Sequence, residues 1–227
     1  MKLALRATLL AVAVTIAASA HADPASYKVD KAHSEVGFRI RHFFAKTPGR
    51  FNDVSGTVLL DEKNLAASSV DVTIQTASIS TDNERRDNHL RSDDFFAAEK
   101  YPQITFKSTK IVPGEGKQFK ILGDLTMRGV TKPVTLDAEM LGSGAVGMAG
   151  TRAGFSATTT INRKDWGITW NKTLDNGGTM LDDNVSIELG IEAVKDEPKA
   201  EAQKVDAPKP DAAKKDPKKD DKKTTSN

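Results

Sequence analysis

Beyond residue 22 the chain holds three histidines, His33, His42 and His89, and no cysteine at all. Three histidines can bind zinc, but these stand 9 and 47 residues apart and none belongs to a close ligand pair. Ligands must converge at about 2.0–2.1 Å on the ion, and this spacing promises no such convergence, so no metal site is expected. Arg86, Asp87 and His89 lie close together in "RRDNHLRSDDFFAAEKYPQITF" (85–106), where Arg86 could fork onto a carboxylate. One local cluster without a nucleophile or a placed carboxylate pair reads as ion pairing at a rim rather than acid–base catalysis. No serine sits in a nucleophile elbow, because "GSG" at 142–144 lacks the strand-to-helix context. No glycine run cradles a phosphate, so neither a nucleotide nor another cofactor is expected. In "NRKDWGITW" (162–170), Trp166 is wall or core, with stacking on a ligand ring as the minor reading.

The elements that position these residues have a period of two. Val36, Phe38, Ile40 and His42 share one strand face, and Val70, Val72 and Ile74 repeat the pattern. Ile104 and Phe106, then Phe119, Ile121, Leu125 and Met127, then Val134, Leu136, Ala138 and Met140 continue it, and Val185, Ile187, Leu189 and Ile191 end it. Weaker strands are expected at 54–60 and 153–161. Such one-faced runs are half-buried strands. The turn "PGEG" (113–116) joins two of them, and "GSGAVGMAG" (142–150) reads as a longer loop. About eight strands and no βαβ rhythm make the fold all-β. A closed antiparallel barrel removes the edges that an open sheet would expose. At eight strands its interior is either just filled or wide enough for one small ligand, and periodicity does not choose between these.

The segment 76–102 is too long for an idle hairpin loop and predicts a cap on the barrel. Within it "TDNE" reads as a capping box, Thr81 with Glu84, opening a short helix to about Asp87. A second turn is expected at Ser92, with Phe95 and Phe96 facing the barrel mouth or its wall. His42 ends an apolar face. It is either a buried histidine satisfied by Asp30 or a carbonyl, or a contact to a ligand.

The chain ends are plain. Lys2 and Arg6, the apolar or small run 7–18 and "ASAHAD" predict a signal peptide over 1–22, hence a periplasmic protein. A dozen apolar residues fall short of the roughly 20 that cross a bilayer. From 196 to 227 the chain has nine lysines, eight acids, four prolines and no aromatic, which predicts a disordered tail. The whole chain carries +2, the leader +2 and the tail +1, leaving about −1 for residues 23–195. That charge offers no footprint for nucleic acid.

Several short stretches, in this order, resemble the YceI-like family of exported bacterial proteins. They are "YKVDKAHSEVGFRIRH" with Asp30, His33 and Phe38, then "GRFNDVSG", then Arg86, Asp87, His89, Leu90, Phe95 and Phe96 running into "YPQITFKS", then "GDLTMRGVTKPV", and Arg163 with "DWG". The resemblance spans 26–194. It departs at Tyr27, where family members often carry tryptophan, and in the tail. It implies a lipocalin-like barrel that binds polyisoprenoids, including quinone-type tails, with no catalytic residues. On that reading Val36, Phe38, Ile40, Val72, Ile74, Phe106, Phe119 and Leu136 form the wall. His42, Arg86 and His89 stand near the head group. A homodimer and transient contact with a membrane surface are compatible with it. A filled envelope barrel with a stress or structural role, or an enzyme acting on a small lipid or amide, are the alternatives.

Overall fold

The computed structural model describes residues 24–175 and 177–196, so the expected leader and nearly all of the expected tail lie outside the described residues. The strands are β1 (Ala25–Val29), β2 (Glu35–His42), β3 (Ala45–Phe51), β4 (Val54–Leu60), β5 (Ser69–Gln75) and β6 (Ile79–Ser80). After the helix α1 (Glu84–Arg91) come β7 (Gln103–Pro113), β8 (Gln118–Met127), β9 (Val130–Ala145), β10 (Thr151–Asn162) and β11 (Leu181–Lys195).

Neighbouring strands pair antiparallel in the order β1-β4-β5-β7-β8-β9-β10-β11, and β11 pairs back onto β1, which closes an eight-stranded barrel. Three staves are broken. A tight turn at Lys31–His33 separates β1 from β2, Asn52 and Asp53 separate β3 from β4, and another tight turn at Thr76–Ser78 separates β5 from β6. Past these breaks β2 stays on β11, β3 stays on β2, and β6 pairs, among the described residues, only with β3. The ladder therefore parts between β6 and β7 at one end of the barrel. Segment 76–102 fills that gap. Thr76 N donates to Pro102 O at 2.9 Å, and Arg91 Nε and Nη2 donate to the carbonyls of Ala77 and Ile79 at 2.8 and 2.9 Å. This end, with the β2–β3 turn, α1 and residues 163–180, is called the mouth. The other end, with the 113–118 and 146–150 turns and the loop 61–68, is called the base.

The alternating pattern explains the walls. Phe119, Ile121, Gly123 and Met127 of β8 are buried, as are Leu136 and Ala138 of β9, while opposite-face neighbours such as Lys120, Asp124 and Asp137 are exposed. Two local expectations change. Residues 142–145 are strand, because Thr151 to Gly154 offer them an antiparallel partner as far as Thr151↔Ala145. The loop shrinks to 146–150, and a bulge at Gly154/Phe155 absorbs the register shift. The cap of α1 is Asn83, whose side chain accepts from Arg86 N at 3.0 Å, so there is no Thr81–Glu84 box. Thr81 is buried and spends its hydroxyl on other partners. The helix runs four residues beyond the expected end at Asp87, and Ser92 closes it, donating to His89 O at 2.7 Å.

Candidate functional site

The inward faces do not meet. A cavity of about 700 Å³ runs along the barrel, within the roughly 300–1,000 Å³ range of small-molecule pockets. Small inward residues leave that room, notably Ala138 and Ala157. Large apolar ones give the wall: Val36, Phe38 and Ile40 from β2, Val72 and Ile74 from β5, Phe106 from β7, Phe119 from β8 and Leu136 from β9. Phe155, Val185, Ile187, Leu189 and Ile191 complete it from β10 and β11. Two wall aromatics lie over glycines of the adjacent strand. A Cβ at Gly49 would come 2.2 Å from Phe38 Cζ, and one at Gly123 would come 2.5 Å from Phe106 Cζ.

Polarity concentrates at the mouth, where His42, Thr47, Thr81, Asn83, Arg85, Arg86 and His89 line the cavity. Asn83, Arg85 and Arg86 are also exposed to solvent, so this end is open. Among the described residues no carboxylate lines the cavity. At the base, Leu60, Leu65 and Val58 close it.

Arg86 does not fork onto a carboxylate. Its Nε donates to Thr81 Oγ1 at 2.7 Å and its Nη2 to Thr81 O at 2.8 Å. The carboxylate next to it, Asp87, is buried and accepts from Thr81 N at 2.8 Å and from Thr81 Oγ1 at 2.5 Å. The cluster is thus a brace for the chain entering α1, with the rest of the Arg86 guanidinium turned to the mouth. His89 pairs with Asp94 Oδ2 at 2.8 Å. Its ring packs edge-on against Phe95 and Trp170, with centroids at 5.0 and 4.9 Å. Phe96 packs edge-on against Phe51, which in turn touches Phe38. The aromatic collar of the mouth is therefore continuous with the wall.

His42 lines the cavity and meets the ring of Phe43 at 4.3 Å. The expected alternative partner, Asp30, is engaged elsewhere: it pairs with His33 Nδ1 at 2.9 Å and Arg152 Nη1 at 2.8 Å. These contacts hold its carboxyl at about 2, with His33 as the largest cause and Arg152 next. Asp30, His33 and Glu192 are grouped closely enough for a cation, but Arg152 already bonds both acids. The three histidines are not brought together: His33 sits in this outer cluster, and only His42 and His89 reach the cavity.

Trp166 is not part of the lining. It is 2% exposed, packs in the core and donates from Nε1 to Leu125 O at 3.1 Å. The tryptophan at the cavity is Trp170. Sequence reasoning missed it because 163–180 has no strand period, and two tryptophans four residues apart carry nothing to rank them. Thr47, Phe51, Leu65, Phe155 and Met180 were missed as well; Phe51 and Phe155 could have been found by alternation along their strands. Arg163 organises this segment. It is 3% exposed and donates to the carbonyls of Asp182, Ile168 and Trp170 at 2.9, 2.7 and 2.9 Å. Burial pulls its guanidinium below the ordinary value, but three carbonyls and Asp183 keep it satisfied.

The profile of the YceI-like domain matches residues 27–193. Protein YceI of Escherichia coli O157:H7 is 50% identical over 147 residues, which is 63% of this chain and 76% of that protein. The crystal structure of a YceI protein from Campylobacter jejuni has 35% identity and a TM-score of 0.58, covering 74% of this chain and 96% of that one. A domain from Saccharophagus degradans, described as polyisoprenoid-binding and implicated in plant cell wall breakdown, shares the fold with a TM-score of 0.56. Its identity is 15%, over 76% of this chain and 99% of that one.

Proposed function

The chain belongs to the YceI-like family, and from that premise we propose that it binds a long isoprenoid lipid, with or without a quinone head. The tail lies in the barrel cavity and the head sits at the mouth. The observation that carries this reading is the unfilled apolar cavity of about 700 Å³ with its polar groups gathered at one end. The likeness to a domain described as polyisoprenoid-binding points the same way.

The physics favours a hydrocarbon. Each methylene withdrawn from water contributes about 0.8 kcal/mol, and the wall offers almost nothing that a polar solute could bond. Water in such a space lacks the two to four polar partners it needs. At the mouth, Arg86, His42 and His89 can donate to a carbonyl, hydroxyl or phosphate oxygen of the head. In this reading the protein acts as a carrier or store. The leader expected over 1–22 puts that task in the periplasm, between membranes that hold such lipids.

Trp170 gives a direct assay. In Trp166→Phe, Trp170 becomes the sole tryptophan, because the chain has two. Its emission should respond to prenyl alcohols. Each added isoprene unit should tighten binding by about tenfold or more until the cavity is full, and further units should add nothing. Phe38→Ser with Phe106→Ser should weaken the tail's binding while the isolated head group binds no differently. Affinity independent of chain length would reject the proposal.

A further inference from the structure

The hairpin between β2 and β3 ends in Phe43 and Phe44, a two-residue loop flanked by the pair His42↔Ala45. Phe43 has φ +52, a conformation that favours glycine at the first central residue of such a turn. Phe44 is 98% exposed. Folding gains little from an aromatic that touches so little of the protein. Glycine or asparagine would serve the turn better, so the Phe-Phe tip answers to something outside the barrel.

Its place says what. His42 and Thr47, on either side of the tip, both line the cavity at its open end. The tip is tied to the adjoining chain that enters β11, since Phe43 N donates to Met180 O at 2.9 Å and Met180 N to Lys172 O at 2.9 Å. Lys46 and Lys172, one on each side, are exposed and form no ion pair among the described residues. Asp182, at the start of β11, is engaged by Arg41 at 3.1 Å.

From this juxtaposition we infer that the Phe43–Phe44 tip docks the mouth on a lipid bilayer, with Phe44 entering the interface and Lys46 and Lys172 facing the lipid head groups. The inference rests on the proposed lipid cargo and adds the surface by which cargo enters and leaves. A bilayer suits the tip better than a protein partner. One protruding ring and two flanking lysines are far smaller than the roughly 1,000 Å² a stable protein interface needs, whereas an exposed ring beside cations matches a membrane interface. The base has an exposed apolar tip too, at Val146 and Met148. The solvent-exposed polar lining, Asn83, Arg85 and Arg86, is at the other end, so docking there would not bring the mouth to the lipid.

The test uses the full chain with vesicles of phosphatidylethanolamine and phosphatidylglycerol, and the variants Phe44→Ser and Met148→Ser. Both residues are fully exposed, so neither change should disturb folding. Phe44→Ser should weaken vesicle co-sedimentation by about tenfold and slow uptake of a prenyl lipid from the vesicles in proportion. Met148→Ser should do neither. Farnesol added from solution should bind wild type and Phe44→Ser alike; if wild type does not take up farnesol, the cargo reading fails rather than the docking site. Docking at this tip is overturned if wild type does not bind the vesicles, if Phe44→Ser binds them as wild type does, or if Met148→Ser is the variant that loses binding. It is also overturned if Phe44→Ser changes the subunit count in solution, which would make the tip a contact between copies.

Discussion

The base and the mouth of this barrel are built by different means. Toward the base, eight staves pair continuously around the ring, and an alternating pattern of apolar and polar residues is enough to specify which side chains face in. Toward the mouth the ladder parts between β6 and β7, and the rim is made of chain outside the ring, 81–102 with its helix α1 and 163–175. There the backbone is held by individual side chains: Arg91 on two carbonyls, Thr81 between Arg86 and Asp87, and Arg163 on three carbonyls. Closed sheet supplies a container that is insensitive to most single changes on its surface. An opening costs ladder hydrogen bonds, and buried arginine and aspartate take over as the scaffold. That is why Arg86, Asp87 and Arg163 of the family-like stretches stand here as braces of the backbone.

The contrast can be broken most forcefully at Arg163. Arg163→Met should strand the carbonyls of Ile168, Trp170 and Asp182 and destabilise the protein by about 3–5 kcal/mol, read from urea denaturation. No surface charge near the base should cost more than about 0.5 kcal/mol. In the regular wall one sensitive point is a glycine. A Cβ at Gly123 would meet Lys107 O at 2.6 Å as well as the Phe106 ring, so Gly123→Ala should cost about 1–3 kcal/mol. At Gly49 all three nearest atoms belong to the Phe38 ring, which can swing into the lumen. Gly49→Ala should therefore cost less stability than Gly123→Ala and more cargo affinity, a reversal that calorimetry and a prenyl titration would expose together.

The smallest expected effect concerns pH. Asp30 titrates at about 2 in the folded protein against an ordinary 3.8, held down by His33 first and Arg152 second. A depressed carboxyl contributes its stability in full above 3.8, and loses it as pH falls toward and through about 2. The unfolding midpoint should accordingly decline over that window, and Asp30→Asn should flatten the decline. Because the ion pair lies outside the lumen, cargo affinity at neutral pH should not change with it.

How much of this was legible in the sequence follows from the same division. Every wall residue read from alternation, from Val36 to Leu136, faces the cavity, because a period of two in a closed sheet leaves only one inside. The capping box at Thr81 failed because its hydroxyl is drawn to Asp87 and Arg86, a contact that local pattern cannot express. Trp166 and Trp170 could not be told apart, since 163–180 has no period and its course is set by Arg163 reaching across to β11. Whether the interior is hollow was not legible either. It depends on small inward residues such as Ala138 and Ala157, paired side by side on β9 and β10, and on the width of the ring, which only the closed barrel reveals. The Phe43–Phe44 tip was visible as letters and not as exposure.

The account stands on the cavity holding a hydrocarbon chain, and native mass spectrometry of protein purified from its own source without detergent tests that directly. The expected result is one isoprenoid-sized adduct per barrel, absent from a folded Ala157→Phe variant whose ring occupies the middle of the lumen. A bare mass for the wild type, persisting after incubation with a prenyl lipid, would contradict it.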